Sequence, residues 1–278
     1  MKFSIVTPTR NNFQKLRLCV GSIRGQAGVD REHIVQDACS TDGTIEWLSA
    51  QHDLRAVSEH DNGMYDAINR GWRRSGGDIL SWLNSDEQYL PGTLALVGDF
   101  FEAHPDVDFV YGNALVVDAD GAILAARREI RLSPTYIANS FLNAFSCTLF
   151  FRRRLLDDGI LYLDDGLRYA ADMDLILRLL ADGRRYAKID SYLGVFTLDG
   201  TNLSCHQGML EETAEVQRRH GGFRSLIVRR FVTIGRYIER LLAGSYRCST
   251  ISYQRCIDEF ANYETISGSA VPGSYKTR

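Results

Sequence analysis

The chain has 278 residues, 45% of them hydrophobic and 24% charged, with only five prolines; this excludes a disordered polymer and leaves room for one large domain with an appendage, or for two small ones. A formal net charge of -3 and a pI near 6.1 provide no basic field for a polyanion, so no nucleic-acid partner is expected and any phosphate must be met locally. The six cysteines, Cys19, Cys39, Cys147, Cys205, Cys248 and Cys256, are scattered without CxxC pairs, which argues against a zinc cage or a disulfide framework and for reduced thiols.

MKFSIVTPTR has too short an apolar core for a signal peptide, and no apolar run approaches about 18 residues, so a cytoplasmic protein is expected, with the inner face of the membrane as its alternative location. The first strand is predicted over Phe3 to Thr7 and is stopped by Pro8. Asn11 or Asn12 then caps a helix carrying Phe13, Leu16, Leu18, Cys19 and Ile23. A second strand, His33 to Asp37, runs into ACSTDGT, where Ser40, Thr41 and Asp42 can satisfy the free amides of a helix containing Ile45, Trp47 and Leu48. Leu54 to Val57 reads as a third strand. SEHDNGMYDAINRGW is a polar loop opening a helix that Gly76 and Gly77 end, and Ile79 to Leu83 is a fourth strand delivering Asn84, Ser85, Asp86 and Glu87 at its tip. Short apolar runs alternating with amphipathic ones imply an α/β chain with a mostly parallel central sheet. The acid loop then sits at the carboxyl end of a parallel strand, where open α/β sheets bind ligands.

Beyond it come a helix over Gly92 to Ala103, a strand over Val107 to Val117, and a hairpin turn at Asp120 and Gly121 into Ile123 to Ala126. A strand at Cys147 to Phe151, a helix at Asp172 to Ala181, and strands at Tyr186 to Ile189 and Leu193 to Leu198 complete the sheet region. From Cys205 the strand-like runs stop and two helical patterns follow, Gln207 to His220 and Phe223 to Ala243. The predicted boundary lies near 205, with a helical extension over 206–278 whose tail after about Ser267 is polar enough to fray.

Taken in order, SIVTPTRN, IVQDACSTDGT, SEHDNGMYDAINRG, SWLNSDEQYLPG, VYGNALVVDADG and AADMDLILRL resemble the inverting family 2 glycosyltransferases of the GT-A fold over roughly residues 2 to 205. The resemblance implies a GT-A catalytic domain over 1–205. It also implies transfer of a sugar from a nucleotide-diphosphate-sugar, a UDP-sugar first among donors, to a hydroxyl of a saccharide or lipid-linked saccharide, in polysaccharide or glycolipid biosynthesis. In that family the loop after the fourth strand is a DXD-type motif holding a divalent cation against the donor diphosphate. It places the metal on Asp86, with Ser85 and Glu87 in support; hard oxygen ligands and phosphates suit Mn²⁺ or Mg²⁺. Thr7, Pro8, Asn11 and Asp37 match the nucleotide pocket, although Ala38 and Cys39 replace the second and third residues of the commoner DDGS. Asp61, Gly63, Asp66 and Asn69 match the segment beneath ribose and sugar, and Gly63 can let backbone approach a ligand closely.

An acceptor hydroxyl needs a base, and the family pattern puts it at Asp172, at a helix start. Asp174 lies two positions on and faces about 200° away, so it cannot share the task. YLDDGL matches a segment beside the acceptor, while Phe145 and Ser146 stand where many relatives carry His-Gln. His206 follows the sheet and could reach the metal. In the extension, Ile227, Phe231, Ile234, Ile238, Leu241 and Leu242 recur at helical spacing with Arg229, Arg236 and Arg240 opposite. Such a stripe packs on the catalytic domain or a second subunit with its arginines in water, or lies on an anionic membrane over 223–242. A nicotinamide enzyme would want GxGxxG after the first strand, and a nucleotidylyltransferase a Gly-rich loop there; TPTRNN is neither. The alternative from a different class is a non-catalytic nucleotide-binding module acting as an assembly partner.

Overall fold

A computed structural model describes residues 1–200, 202, 208–246 and 249–272. Four strands form the parallel half of the sheet: β1 (Lys2–Thr9) lies between β2 (Asp30–Asp37) and β4 (Ile79–Trp82), and β3 (Leu54–Ser58) flanks β2. Helices α1 (Phe13–Arg24), α2 (Thr44–Ser49) and α3 (Met64–Arg74) make the connections. Beyond β4 the pairing is mixed, so the sheet is less parallel than expected. β8 (Phe150–Arg152) pairs antiparallel with β4 and with β6 (Phe109–Val117), and β6 pairs antiparallel with β7 (Ile123–Arg127) and parallel with β9 (Tyr186–Thr197). The short β5 (Glu87–Tyr89) leaves the acid loop and pairs antiparallel with β9.

Strand alternation builds a core on each face. On β1, Phe3 and Ile5 point to one side and Val6 to the other; on β4, Ile79 opposes Leu80 and Trp82; on β8, Phe150 opposes Phe151. One side is covered by α1 and by α4 (Thr93–Ala103), the other by α3, the short α5 (Pro134–Ile137) and α6 (Arg154–Asp157), and α7 (Ala171–Ala181). Trp82 stacks on Phe151 with ring centroids 6.0 Å apart, and Trp72 meets Trp82 edge-on at 5.7 Å. At Gly71 a Cβ would lie 2.4 Å from Val6, so glycine is what lets α3 sit this close to β1.

Two expectations for the extension require correction. After α8 (Gly208–Arg219) and α9 (Leu226–Leu242) the chain forms a hairpin, β10 (Ser249–Cys256) with β11 (Tyr263–Pro272), and β11 joins the sheet edge at β7; the extension is not helical throughout, and the strand continues past Ser267. The serines and threonines of STISYQRC mask the alternation of Ile251 and Tyr253. The strand holds because Tyr253 donates to the Gly121 carbonyl at 2.6 Å and the Gln88 amide bonds both Cys256 backbone groups at 2.9 and 3.1 Å.

Helix α9 faces the opposite way from an arginines-in-water packing. Arg236 and Arg240 are 6% and 3% exposed, whereas Phe231 is 70% exposed. The inward face is ionic: Arg240 meets the buried Glu129 at 3.0 Å, Glu129 also holds Arg127 at 3.0 Å, and Arg236 lies over the Tyr136 ring and bonds the Arg131 carbonyl. Turning the apolar stripe inward would leave the buried Glu129 with Arg127 alone and take Arg236 and Arg240 from their buried partners, and breaking such buried contacts is costly.

Candidate active site

The carboxyl ends of β1, β2 and β4, the start of α3 and the start of α7 converge on a cleft of about 990 Å³. Its walls include Pro8, Asn11, Asp61, Gly63, Ser85, Asp86 and Asp172 from the expected set.

The β1 and β2 loops are tied together. Ser40 donates to Asp37 at 2.5 Å and accepts from the Asn11 amide at 2.8 Å, and the Asn11 side chain accepts from the Thr41 amide at 2.8 Å. Asn11 and Cys39, on the two facing loops, both hold positive φ, 49° and 55°, a conformation costly for a residue with a Cβ and one that collects at functional sites. Asp42 acts as a cap, accepting from Phe13 at the start of α1 at 3.0 Å and from Thr44 at the start of α2 at 3.2 Å.

Alternation turns several expected donor residues away from this space. Thr7 is fully buried and bonds His33 at 2.8 Å; Asp37 is fully buried with its carboxylate taken by Ser40 and, at 2.6 Å, by Ser58. Their neighbours Pro8 and Ala38 line the cleft instead. Asp66 caps α3 through the Asn62 amide at 3.0 Å and pairs with Arg70 at 2.8 Å. Asn69 makes a two-bond clamp on Leu163, accepting from its amide at 2.9 Å and donating to its carbonyl at 2.7 Å. Asn69→Ala should therefore cost about 2–4 kcal/mol by leaving two buried backbone groups unpaired. Thermal denaturation should register the loss, with donor KM little changed once the protein is folded.

Asp61 accepts from the Gly63 amide at 2.9 Å, and its burial raises its pKa. Gly63 holds φ 123° with open space where a Cβ would stand, so the backbone itself is the cleft wall.

The two acids after β4 take separate fates. Asp86 stays in the cleft, its pKa raised by burial and by the nearby Asp199 charge against the pull of Lys15. Glu87, the first residue of β5, turns inward and is 1% exposed. It accepts from the Asn84 amide at 3.0 Å and pairs with the Ser146 hydroxyl, and burial with the Asp86 charge pushes its pKa to about 8. Turned inward, it braces the loop and is not among the cleft walls; the expected metal support from Glu87 is corrected on that placement. His206 lies outside the described residues.

Because Glu87 pairs with Phe196, the turn after β9 folds back on Asp86: Asn202 donates to it at 3.4 Å, and Asp199 pairs with Lys15 of α1. Asn84 Oδ1 and Thr9 Oγ1, both in the cleft walls, have no hydrogen-bond partner among the described residues. Asp86 and the unpartnered Asn84 oxygen are hard donors of the kind a Mg²⁺ or Mn²⁺ ion completed by substrate phosphate takes, and Asp199, ion-paired with Lys15, lies close enough to act on the Asp86 charge. Among the described residues no three His, Cys, Asp or Glu side chains form a closed cage.

Asp172 stands in the first turn of α7, with the Met173 amide donating to it at 2.8 Å. Burial pushes its pKa up to about 6, and the Glu212 charge adds to the shift. Asp174, by contrast, is held by Arg178 at 2.7 Å and His220 at 2.8 Å. Composition and spacing did not single out Glu212. From α8 its carboxylate accepts from three successive amides, Arg168, Tyr169 and Ala170, at 2.8, 2.6 and 2.7 Å, fixing the segment that leads into Asp172. Glu212→Gln should lower kcat and move the acid limb of kcat/KM to lower pH, since a charge raising the Asp172 pKa is gone; a limb that stays in place would reduce Glu212 to a structural tie. Lys15, Arg10, Arg168, Tyr65 and Tyr169 also line the cleft without having been expected. The one available signal was that Arg10 and Lys15 sit within a turn of Asn11.

Residues 4–159 match the family model described as glycosyl transferase family 2. A PGL/p-HBAD biosynthesis glycosyltransferase of Mycobacterium tuberculosis is 35% identical over 120 residues, 41% of this chain and 47% of the relative. The poly(ribitol-phosphate) beta-N-acetylglucosaminyltransferase TarS of Staphylococcus aureus is 22% identical over 227 residues, 78% of this chain and 39% of that protein. The chain thus spans about half the length, or less, of these curated relatives. Among solved structures, TarS 1-349 in complex with UDP-GlcNAc superposes with a TM-score of 0.64 at 19% identity, covering 87% of this chain and 73% of that one. The mannosyltransferase PcManGT of Pyrobaculum calidifontis, in complex with GDP-Man and Mn2+, gives 0.53 at 17% identity, covering 86% and 80%. These likenesses carry the fold, a GT-A architecture with its large mixed sheet.

Proposed function

The chain belongs to glycosyl transferase family 2, and on that premise we propose that it moves a sugar from a nucleoside-diphosphate donor to an acceptor hydroxyl with inversion at the anomeric carbon. The observation carrying this reading is that Asp86, from the end of β4, and Asp172, from the start of α7, line one cleft large enough for such a donor.

In this reading the diphosphate lies at Asp86. Lys15 and Arg10 supply positive charge there, and the backbone at Gly63 admits the sugar at close range. A bound Mg²⁺ or Mn²⁺, held by Asp86 with Asn84, would neutralise charge building on the departing diphosphate. Asp172 takes the acceptor proton as the hydroxyl attacks the carbon from the face opposite the leaving group. A carboxylate whose pKa lies near 6 is ionised at neutral pH yet still basic enough for the transfer. Asp61 is available to bond sugar hydroxyls. Positive charge develops on the ring along the way, and a single displacement with inversion calls for no covalent intermediate.

The neighbour solved with UDP-GlcNAc makes a UDP-sugar the first donor to try, and the one solved with GDP-Man and Mn2+ puts guanosine donors beside it. The names of the relatives, a PGL/p-HBAD biosynthesis glycosyltransferase and a poly(ribitol-phosphate) beta-N-acetylglucosaminyltransferase, support a place in glycan biosynthesis, and the acceptor we propose is a saccharide or lipid-linked saccharide. The test is incubation with UDP- and GDP-sugars, with and without Mn²⁺, reading release of nucleoside diphosphate and the anomeric configuration of the product by NMR. Metal-stimulated release with inversion is expected; retention of configuration would remove Asp172 from the role of base.

A further inference from the structure

We infer that α9 is a membrane-surface helix that seats its outward apolar stripe in an anionic bilayer. The observation beneath this is the helix's orientation. Leu226, Ile227, Phe231 and Leu242 are 72%, 68%, 70% and 82% exposed, and Ile234 and Ile238 lie between them on the same face. A surface helix ordinarily hides such a stripe and shows its charges.

The orientation is fixed by specific contacts. Arg229, Arg236 and Arg240 stand at i, i+7 and i+11, within one narrow stripe. Arg229 donates to the Asn139 carbonyl at 3.2 Å and pairs with Gln217, Arg236 bonds the Arg131 carbonyl, and Arg240 pairs with the buried Glu129. These bonds hold the helix with its arginines inward, so the stripe needs a cover other than its own domain. At 17 residues the helix is about 25 Å long, and among the described residues no helix is long and apolar enough to cross a membrane, which leaves the interfacial orientation for α9.

Charge decides between occupants. Arg218, Arg224 and Arg230 are exposed around the amino-terminal part of α9 and have no ion pair among the described residues. The one acid on the helix, Glu239, is neutralised by Arg236 at 2.5 Å. Lipid answers both halves of the patch, acyl chains the stripe and headgroup phosphates the arginines. A second copy would answer the stripe alone and bring more of the same cations. The inference rests on this face and not on which sugar is moved.

The test is co-sedimentation of the full chain with phosphatidylcholine vesicles and with vesicles also containing phosphatidylglycerol, at low and high salt, alongside light scattering of the free protein. Binding is expected to favour the anionic vesicles and to weaken in high salt. Phe231→Glu with Ile234→Glu should lower the bound fraction by about tenfold or more at an unchanged melting temperature. Arg224→Glu with Arg230→Glu should erase the anionic preference. Absence of binding to either vesicle, binding indifferent to the Phe231 and Ile234 changes, or a wild-type dimer that those changes render monomeric would overturn the inference, the last by assigning the stripe to a second copy.

Discussion

Asp172→Asn should bind nucleoside diphosphate about as well as the wild type and lose sugar transfer by about 10²–10⁴-fold, the range expected when a positioned general base is removed. The change is nearly isosteric. The amide oxygen can keep the bond from Met173, donated at 2.8 Å in the wild type, so the turn that opens α7 should stand. What disappears is a group able to take a proton. Because burial raises the Asp172 pKa to about 6, the wild-type kcat/KM should climb as pH rises through that value, where the carboxyl loses its proton and becomes a base. The residual activity of the variant should lack that limb. Calorimetry for binding and a pH series of initial rates for turnover separate the two effects; undiminished transfer would move the base elsewhere.

Asp86→Ala should abolish metal-stimulated turnover and weaken nucleoside-diphosphate binding in the presence of Mn²⁺, while leaving binding of the bare nucleoside unchanged. A Lewis-acid contribution of several kcal/mol to a departing diphosphate corresponds to a rate loss of at least about 10²-fold. Asp86→Asn serves as the companion, since it removes charge without opening space beside Lys15 and Asp199. A titration of UDP against each protein, with and without Mn²⁺, reads the effect. Equal metal dependence in wild type and both variants would exclude Asp86 as the metal's anchor.

Much of the site was legible because parallel strands bring their carboxyl ends to one rim. The tips after β1, β2 and β4 and the loop before α3 do meet, and the start of α7 joins them. What the sequence left open was which member of each tip faces the cleft. Asp86 and Glu87 are adjacent acids that the resemblance ranked as ligand and support within one cleft, yet β5 begins at Glu87 and sends it inward, leaving Asp86 in the cleft. Likewise Thr7 and Asp37 point beneath the floor while Pro8 and Ala38 form it, a one-residue distinction fixed by strand register. Asn69 fits a donor-site motif, but its partner is Leu163, 94 positions on, and no local pattern announces such a contact. For α9 the period gave two faces correctly and could not say which was buried, because that was decided by Glu129 on a distant segment. The hairpin β10–β11 escaped notice for the related reason that its stability comes from docking at β7, not from its own composition.

The account depends most on one cleft holding donor and base together, and a structure of the full chain with an intact nucleotide-sugar and Mn²⁺ tests that most directly. The diphosphate should lie against Asp86 and Lys15, with the anomeric carbon exposed toward Asp172 and space between them for one hydroxyl. A nucleotide bound outside this cleft, or a sugar carbon turned away from Asp172, would contradict it.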